Sequence, residues 1–499
     1  MKLSISNSVQ NDAEQRLERL IDAKFATKLQ AKDSTLWGEE AEPEASIRLG
    51  WVDPIDKATE LLPEILKLKQ QFNDKGLTRV VLCGMGGSSL APEVICKNSD
   101  VELHILDSTS PTSVIGALQD LESTVVVVSS KSGSTVETDS QRRIFEQQFT
   151  DSGIDAKERM VIVTDPGSAL AEEANAKGYK VFEADPTVGG RYSALTAFGL
   201  VPSGLAGANI SQLVADASNF LPTVFDGSAA NPALVLAAAI SGSNSRLIID
   251  DQQSELVGIA DWIEQLIAES TGKQGVGILP VAGNPEAELD AGASNVLPLR
   301  FSSEDADEGW ITLDGNLAEM FLAFEIATAA SGMLLGINPF DQPDVESAKI
   351  AARESLEKPQ SSSASSTDAE ISEALASINE NGYLAVQIYA NREDEQQLHP
   401  LREKFVKRTR VPVTMGWGPR FLHSTGQFHK GGTPGGVFLQ IIQKDIELNV
   451  PGKDYGFQQL LLSQAQGDAK VLSDKGSKVL KLVISETDDV FTVLERVID

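Results

Sequence analysis

Arg79–Leu90 reads RVVLCGMGGSSL, an apolar run that ends in three glycines and two serines and leads into a helical pattern. A nearly continuous β-branched run suits a strand buried on both faces of a parallel sheet. Glycines at its end let the backbone turn sharply and approach a ligand, and a following helix N-terminus offers free N–H groups to an anion. Three readings fit this segment: a tight strand-to-helix turn with no ligand, a phosphate or sugar loop, or a dinucleotide site. The last draws on Asp107, about 20 residues on, where a ribose-binding acid would sit; against it, Ser89 stands where the third glycine should be.

Outward from this stretch the same texture repeats. Apolar runs at Val101–Asp107, Thr124–Ser129, Met160–Asp165 and Tyr179–Glu183 alternate with helical patterns such as Val136–Phe149, which predicts five parallel strands flanked by helices. Residues 1–75 read as an acidic, helix-prone arm, 76–205 as a first α/β domain and 206–356 as a second. The second has strands at Arg246–Asp250, Gly275–Val281, Asn295–Phe301 and Trp310–Leu313 and helices at Pro232–Ile240, Ile259–Ser270 and Leu317–Leu335. Glu357–Glu370, EKPQSSSASSTDAE, has little to bury and reads as a linker. Beyond it, 371–499 carries apolar runs at Tyr383–Tyr389, Val411–Trp417, Val437–Ile442 and Val479–Ser485, with helical patterns at Glu393–Lys407 and Phe457–Ser473. These form either a third α/β unit or further strands of the second sheet.

The chain's 499 residues exceed one ordinary domain about threefold, in keeping with this division. Asp plus Glu less Lys plus Arg is 72 − 42 = 30, a net charge of −30 that argues against binding nucleic acid or anionic membranes. An anionic ligand therefore needs a local cationic pocket. No uninterrupted apolar run reaches membrane-spanning length, and the N-terminus lacks the basic start and apolar stretch of a secretory signal. Cys83 and Cys96 cannot form a disulfide framework, so a cytoplasmic protein is expected. Four histidines without metal-ligand spacing lower the odds of a metalloenzyme.

Four further segments carry chemistry. SSKSGSTVET, Ser129–Thr138, gathers Ser129, Lys131, Ser132, Ser134 and Thr135 around a helix N-terminus at a strand end, a donor-rich concavity suited to a phosphate monoester. A serine N-cap on a glycine turn is the plainer reading, but it uses one hydroxyl only. VGGRYS sets Arg191 directly after Gly189 and Gly190 at the end of the fifth strand, facing a ligand crevice or capping the surface. AESTGK puts Glu269 at the C-terminal pole of a helix, where the dipole disfavours negative charge, so it has a partner or a task. FLHSTGQFHKGGTPGG, Phe421–Gly436, concentrates His423 and His429 in a glycine-rich stretch, a functional loop or a pair of surface imidazoles.

Together these motifs resemble the glucose-6-phosphate isomerase family of sugar isomerases. GMGGSSL is similar to its glycine-serine loop, SSKSGST to its phosphate loop, VGGRYS to its arginine motif, ESTGK to its glutamate motif, and FDQPDVESAK (Phe340–Lys349) to the segment whose final lysine lines the site. The chain also resembles the isomerase half of bacterial transaldolase–isomerase fusions. The resemblance implies two SIS-type αβα sandwich domains with parallel sheets, plus the C-terminal α/β segment. It implies Glu269 as the base, Arg191 as stabiliser of the enediolate, and Lys349 with His429 as the ring-opening pair. His423 is the second candidate for that histidine. Gly87, Ser88, Ser129, Lys131, Ser132, Ser134, Thr135 and Gly190 would bind the substrate.

No metal or cofactor is implied. The partner implied is a small sugar phosphate, in a homodimer whose neighbouring subunit supplies the histidine. One departure is plain: the family order of glutamate, histidine, lysine is here glutamate, lysine, histidine. The rival readings are an isomerase acting on glucose and mannose phosphates alike, a non-catalytic sugar-phosphate sensor, and a nicotinamide oxidoreductase.

Overall fold

The computed structural model describes residues 1–242, 245–357, 365–392 and 397–498. Most of the Ser-rich linker and the first residues of the predicted helix Glu393–Lys407 lie outside them. The chain begins with β1 (Lys2–Ile5), followed by β2 (Arg79–Gly84), β3 (His104–Leu106), β4 (Thr124–Ser129), β5 (Met160–Thr164) and β6 (Lys180–Glu183). Strands β2 to β6 form one parallel sheet in the order β3-β2-β4-β5-β6. The pleat sends alternate residues to opposite faces. Val80, Leu82, Val125 and Val127 join the large core shared with Leu200 and Val201 of the helix Ala197–Ala206, while Val81, Cys83, Val126 and Val128 pack with Ile144, Phe145 and Phe149. Burial on both faces is why these strands read as unbroken apolar runs. From β2 the chain first passes to one side of the sheet and then returns to the other, so a crevice opens at the carboxyl ends of β2 and β4. Gly84 and Ser129 are paired there in register.

The second sheet holds β7 (Arg246–Asp250), β8 (Leu279–Ala282), β9 (Val296–Phe301) and β10 (Ile311–Asp314) in the order β1-β10-β9-β7-β8. The helix-prone arm of residues 1–75 carries the helices Asn7–Asp22 and Ile55–Asp74, and ahead of them a strand the sequence did not announce: Lys2–Ile5 pairs antiparallel with β10 as the edge strand. The helix Leu317–Leu335 is long and apolar enough by composition to cross a membrane, which no run in the sequence was expected to be. Its most apolar window is 83% buried within the protein, so its hydrophobicity serves packing. It is closed at its start by the Asn316–Glu319 capping box and at its end by Gly336 in the left-handed conformation.

The C-terminal segment forms its own sheet: β11 (Tyr383–Tyr389), β12 (Val413–Trp417), β13 (Gly436–Gln443) and β14 (Lys478–Ile484), all parallel in the order β12-β11-β13-β14. This resolves the two readings of these strands in favour of a separate unit. Its helix Phe457–Asp474 packs on Pro343–Glu357, and Arg402 forms a buried ion pair with Glu288 of the second sandwich. The fold is thus the expected α/β class: two αβα sandwiches and a C-terminal α/β unit.

Candidate active site

The turn after β2 is shaped by close approach. A Cβ on Gly87 would stand 2.0 Å from the carbonyl oxygen of Gly190, so only glycine lets this turn touch the one that carries Arg191. Gly86 adopts φ +56°, and Ser89 Oγ donates to its carbonyl at 3.1 Å. Ser88 is buried beside them. With Asp107 paired with Arg392 and Arg420, the dinucleotide reading loses its ribose-binding acid.

At the end of β4 the hydroxyls gather as the motif suggests. Ser132 Oγ and Ser134 Oγ are 2.8 Å apart, Ser130 Oγ donates to Thr135 Oγ1 at 3.2 Å, and Ser129 Oγ is buried with no hydrogen-bond partner among the described residues. Thr135 precedes the helix Val136–Asp151, and its side chain makes no capping bond, which leaves the helix N-terminal N–H groups to other acceptors. Lys131 is directed elsewhere. Its Nζ contacts Asp165 Oδ2 at 2.8 Å and the carbonyl of Pro186 at 3.1 Å, so its charge is already engaged. A cavity of about 150 Å³ is walled by Ser132, Ser134, Thr135 and Glu137 on one side and by Lys349, Arg353 and His423 on the other.

Glu269 lies in the last turn of the helix Ile259–Thr271 and is 4% exposed. Its Oε2 accepts from Gln342 Nε2 at 2.8 Å and stands 3.6 Å from Arg191 Nη1. Burial raises its pKa above the ordinary glutamate value, against the opposing charges of Arg191, His423 and Lys349. Glu269 and Arg191 are not in the cavity wall. Arg191 is held by Ser270 Oγ, which accepts from Nε at 2.8 Å, and by the carbonyls of Pro339 and Asp341, which accept from Nη2. Lys273 grips the same loop through Asn338 O, Asp341 O and Asp341 Oδ1. Burial, then the charge of Arg191, lowers the Lys273 pKa to about 8. The two cations fix the loop that presents Gln342 to Glu269.

The two histidines exchange places relative to expectation. His423 Nε2 is 3.0 Å from Glu137 Oε1, which also accepts from Gln464 Nε2 at 2.6 Å, and the carbonyl of His423 accepts from Gln265 Nε2 at 2.7 Å. Burial alone would raise the Glu137 pKa, but the charge and hydrogen bond of His423 outweigh it and hold the carboxyl low. His429 does not reach the cavity. It sits on the helix Gly426–Gly431, buried among Tyr383, Phe421 and Phe438, with neither ring nitrogen hydrogen-bonded among the described residues. Burial, then Lys430, pushes its pKa down to about 3. The glycines after it are not a flexible tip. A Cβ on Gly431 would meet Asp344 Oδ2 at 2.2 Å, and one on Gly432 the carbonyl of Phe428 at 2.7 Å, so they permit close packing.

His423 and Glu137 are brought together within one chain. Sequence reading passed over Glu137, Gln265, Ser270, Gln342 and Gln464. Glu137, Ser270 and Gln342 stand inside the SSKSGSTVET, AESTGK and FDQPDVESAK segments, where an acid in a first helical turn, a hydroxyl beside the glutamate and a glutamine after Phe-Asp were the available signals.

Residues 68–278 match the family model described as phosphoglucose isomerase. Glucose-6-phosphate isomerase of Levilactobacillus brevis is 32% identical over 312 residues, covering 49% of this chain and 69% of the relative. That of Rubrobacter xylanophilus is 28% identical over 375 residues, covering 59% and 86%. The crystal structure of a glucose-6-phosphate isomerase from Chlamydia trachomatis superposes with a TM-score of 0.54 at 18% identity, over 71% of this chain and 86% of that one, a likeness of fold. The chain belongs to the phosphoglucose isomerase family.

Proposed function

We propose that the protein interconverts D-glucose 6-phosphate and D-fructose 6-phosphate through a cis-enediolate, as an aldose–ketose isomerase of glycolysis and gluconeogenesis. The observation that carries this reading is the buried Glu269 carboxylate with its raised pKa, 3.6 Å from the Arg191 guanidinium. A base tuned upward by burial is suited to taking the C2 proton and returning it to C1. Arg191 then meets the negative charge that develops on the enediolate oxygens, worth several kcal/mol where water is excluded.

The hydroxyls of Ser129, Ser132, Ser134 and Thr135 and the helix N-terminus behind them hold the phosphate, with Gly87, Ser88 and Gly190 bordering the sugar. Binding energy so far from the reacting carbons serves to orient them. Ring opening is assigned to His423 with Lys349 in place of His429. Glu137 engages Nε2 of His423, which leaves Nδ1 for the substrate oxygen. Lys131 organises the phosphate loop through Asp165. A cytoplasmic location is supported by the two buried free thiols, Cys83 and Cys96.

Addition of the protein to glucose 6-phosphate, with fructose 6-phosphate followed as product, tests the reading. Turnover on that pair supports it. Binding without turnover would leave a sensor, and comparable turnover of mannose 6-phosphate would widen the substrate class.

A further inference from the structure

Asp107, which the phosphate and base machinery leaves unused, is 1% exposed and directly follows β3. It shares a closed ring of charges with Glu93 of the helix Leu90–Asn98 and two arginines of the C-terminal unit. Arg392 Nη2 meets Glu93 Oε1 at 2.8 Å and its Nη1 meets Asp107 Oδ1 at 3.2 Å. Arg420 Nη2 lies 2.8 Å from Glu93 Oε2, a charge contact off the hydrogen-bond axis, and its Nη1 is bonded to Asp107 Oδ2. Lys97 adds a further contact to Glu93 at 3.1 Å. Burial alone would raise the Glu93 pKa, but the surrounding cations hold it well below the ordinary range. Arg420 opens the short turn Arg420–His423, so the ring pins one end of the turn and Gln265 pins the other through the His423 carbonyl.

We infer that Arg420, clasped between Asp107 and Glu93, is a positioning residue that acts through His423, setting the imidazole against Glu137 for ring opening. This rests on the assignment of His423 above. A ring of alternating charges, buried at Glu93, Asp107 and Arg420 and half-buried at Arg392, has two properties that suit the task. Its geometry is specified by several bonds at once, and its members cannot part without stranding a charge out of water, which is strongly unfavourable. The contact therefore joins the C-terminal unit to the first sandwich at the point where the histidine must be placed.

The test compares Arg420→Lys and Asp107→Asn with wild type in three measurements: turnover of cyclic glucose 6-phosphate, inhibition by the open-chain 6-phosphogluconate, and the ¹⁵N signal of the His423 ring. The expected result is a fall in turnover of tenfold or more, an inhibition constant changed by less than threefold, and a His423 signal that loses its Glu137-bonded position. Equal losses in turnover and inhibitor affinity would make the ring a general structural tie and overturn the inference, as would unchanged turnover. Should either variant fail to fold, Arg392→Lys leaves Arg420 in place while loosening both acids, and a smaller fall in turnover with the same unchanged inhibition is expected. His423→Ala separates the two claims. Wild-type turnover in that variant would sink the histidine assignment and the inference with it, whereas slow turnover there beside normal turnover in Arg420→Lys would sink the inference alone.

Discussion

His423 Nε2 lies 3.0 Å from Glu137 Oε1, a contact that joins the C-terminal unit to the first helix of the phosphate loop. It puts an acid–base pair beside the hydroxyls proposed to hold the phosphate, and it separates the two histidines in what their loss should do. His423→Ala should lower turnover on cyclic substrate by at least about tenfold, less than the roughly 10²–10⁴-fold that a positioned acid–base group can supply, because ring opening also proceeds slowly in water. His429→Leu should leave turnover near wild type. Steady-state rates for the two variants decide the matter, and the reverse pattern would return the role to His429.

A second consequence of the His429 site is pH-dependent stability. Above about pH 6.5 the imidazole is neutral in both folded and unfolded chains. Below that, the unfolded chain takes up a proton that the folded one refuses until about pH 3. Stability should therefore fall by about 1.4 kcal/mol per pH unit across this window from this group alone. Urea unfolding at pH 7 and pH 5.5 should show a steeper loss in wild type than in His429→Leu; parallel losses would contradict the burial argument.

Glu269 carries the opposite cost. Its folded pKa is raised, so between the ordinary value of 4.5 and the raised one the unfolded chain is ionised while the folded chain keeps its proton. Stability contributed by the protonated form is lost as pH rises through that window. Glu269→Gln should make the protein more stable at pH 7 while removing turnover. Lower stability of this variant by thermal unfolding would mean that the carboxylate is held by its partners more strongly than burial penalises it.

Ser132→Ala combined with Thr135→Ala should raise KM for the phosphorylated sugar by about tenfold or more, since a hydrogen bond to a charged group is worth about 1.5–3 kcal/mol, while kcat changes little. Lys131→Met should act mainly through stability, because Asp165 and the Pro186 carbonyl already occupy its ammonium group. A KM effect from Lys131→Met larger than from the double variant would place the phosphate on the lysine.

How much of this was legible depended on how local the signal was. The bounds of β2, β4, β7 and β11 could be read because strands buried on both faces are written as β-branched runs. Lys2–Ile5 was missed because a short edge strand has no such run, and its pairing with β10 is made only in the folded chain. The C-terminal strands read clearly, but whether they extend a sheet or form one depends on contacts the sequence does not display. In the site, Arg191 and Glu269 stood out because each breaks a local rule, a charge after paired glycines and an acid at a helix C-terminus. Gln265, Gln342 and Gln464 break none, since a glutamine's task is set by whichever acceptor the fold brings to it. His429 was favoured for its glycines, which the fold uses for close packing.

The central claim is proton transfer by the Glu269 carboxylate. Glucose 6-phosphate converted in deuterated water should yield fructose 6-phosphate carrying deuterium at C1, seen by proton NMR, because a carboxylate exchanges its proton with solvent between the two transfers. Glu269→Gln should give neither label nor product. Product formed at the wild-type rate with C1 unlabelled would rule out exchange with solvent between the two transfers, and would contradict the account.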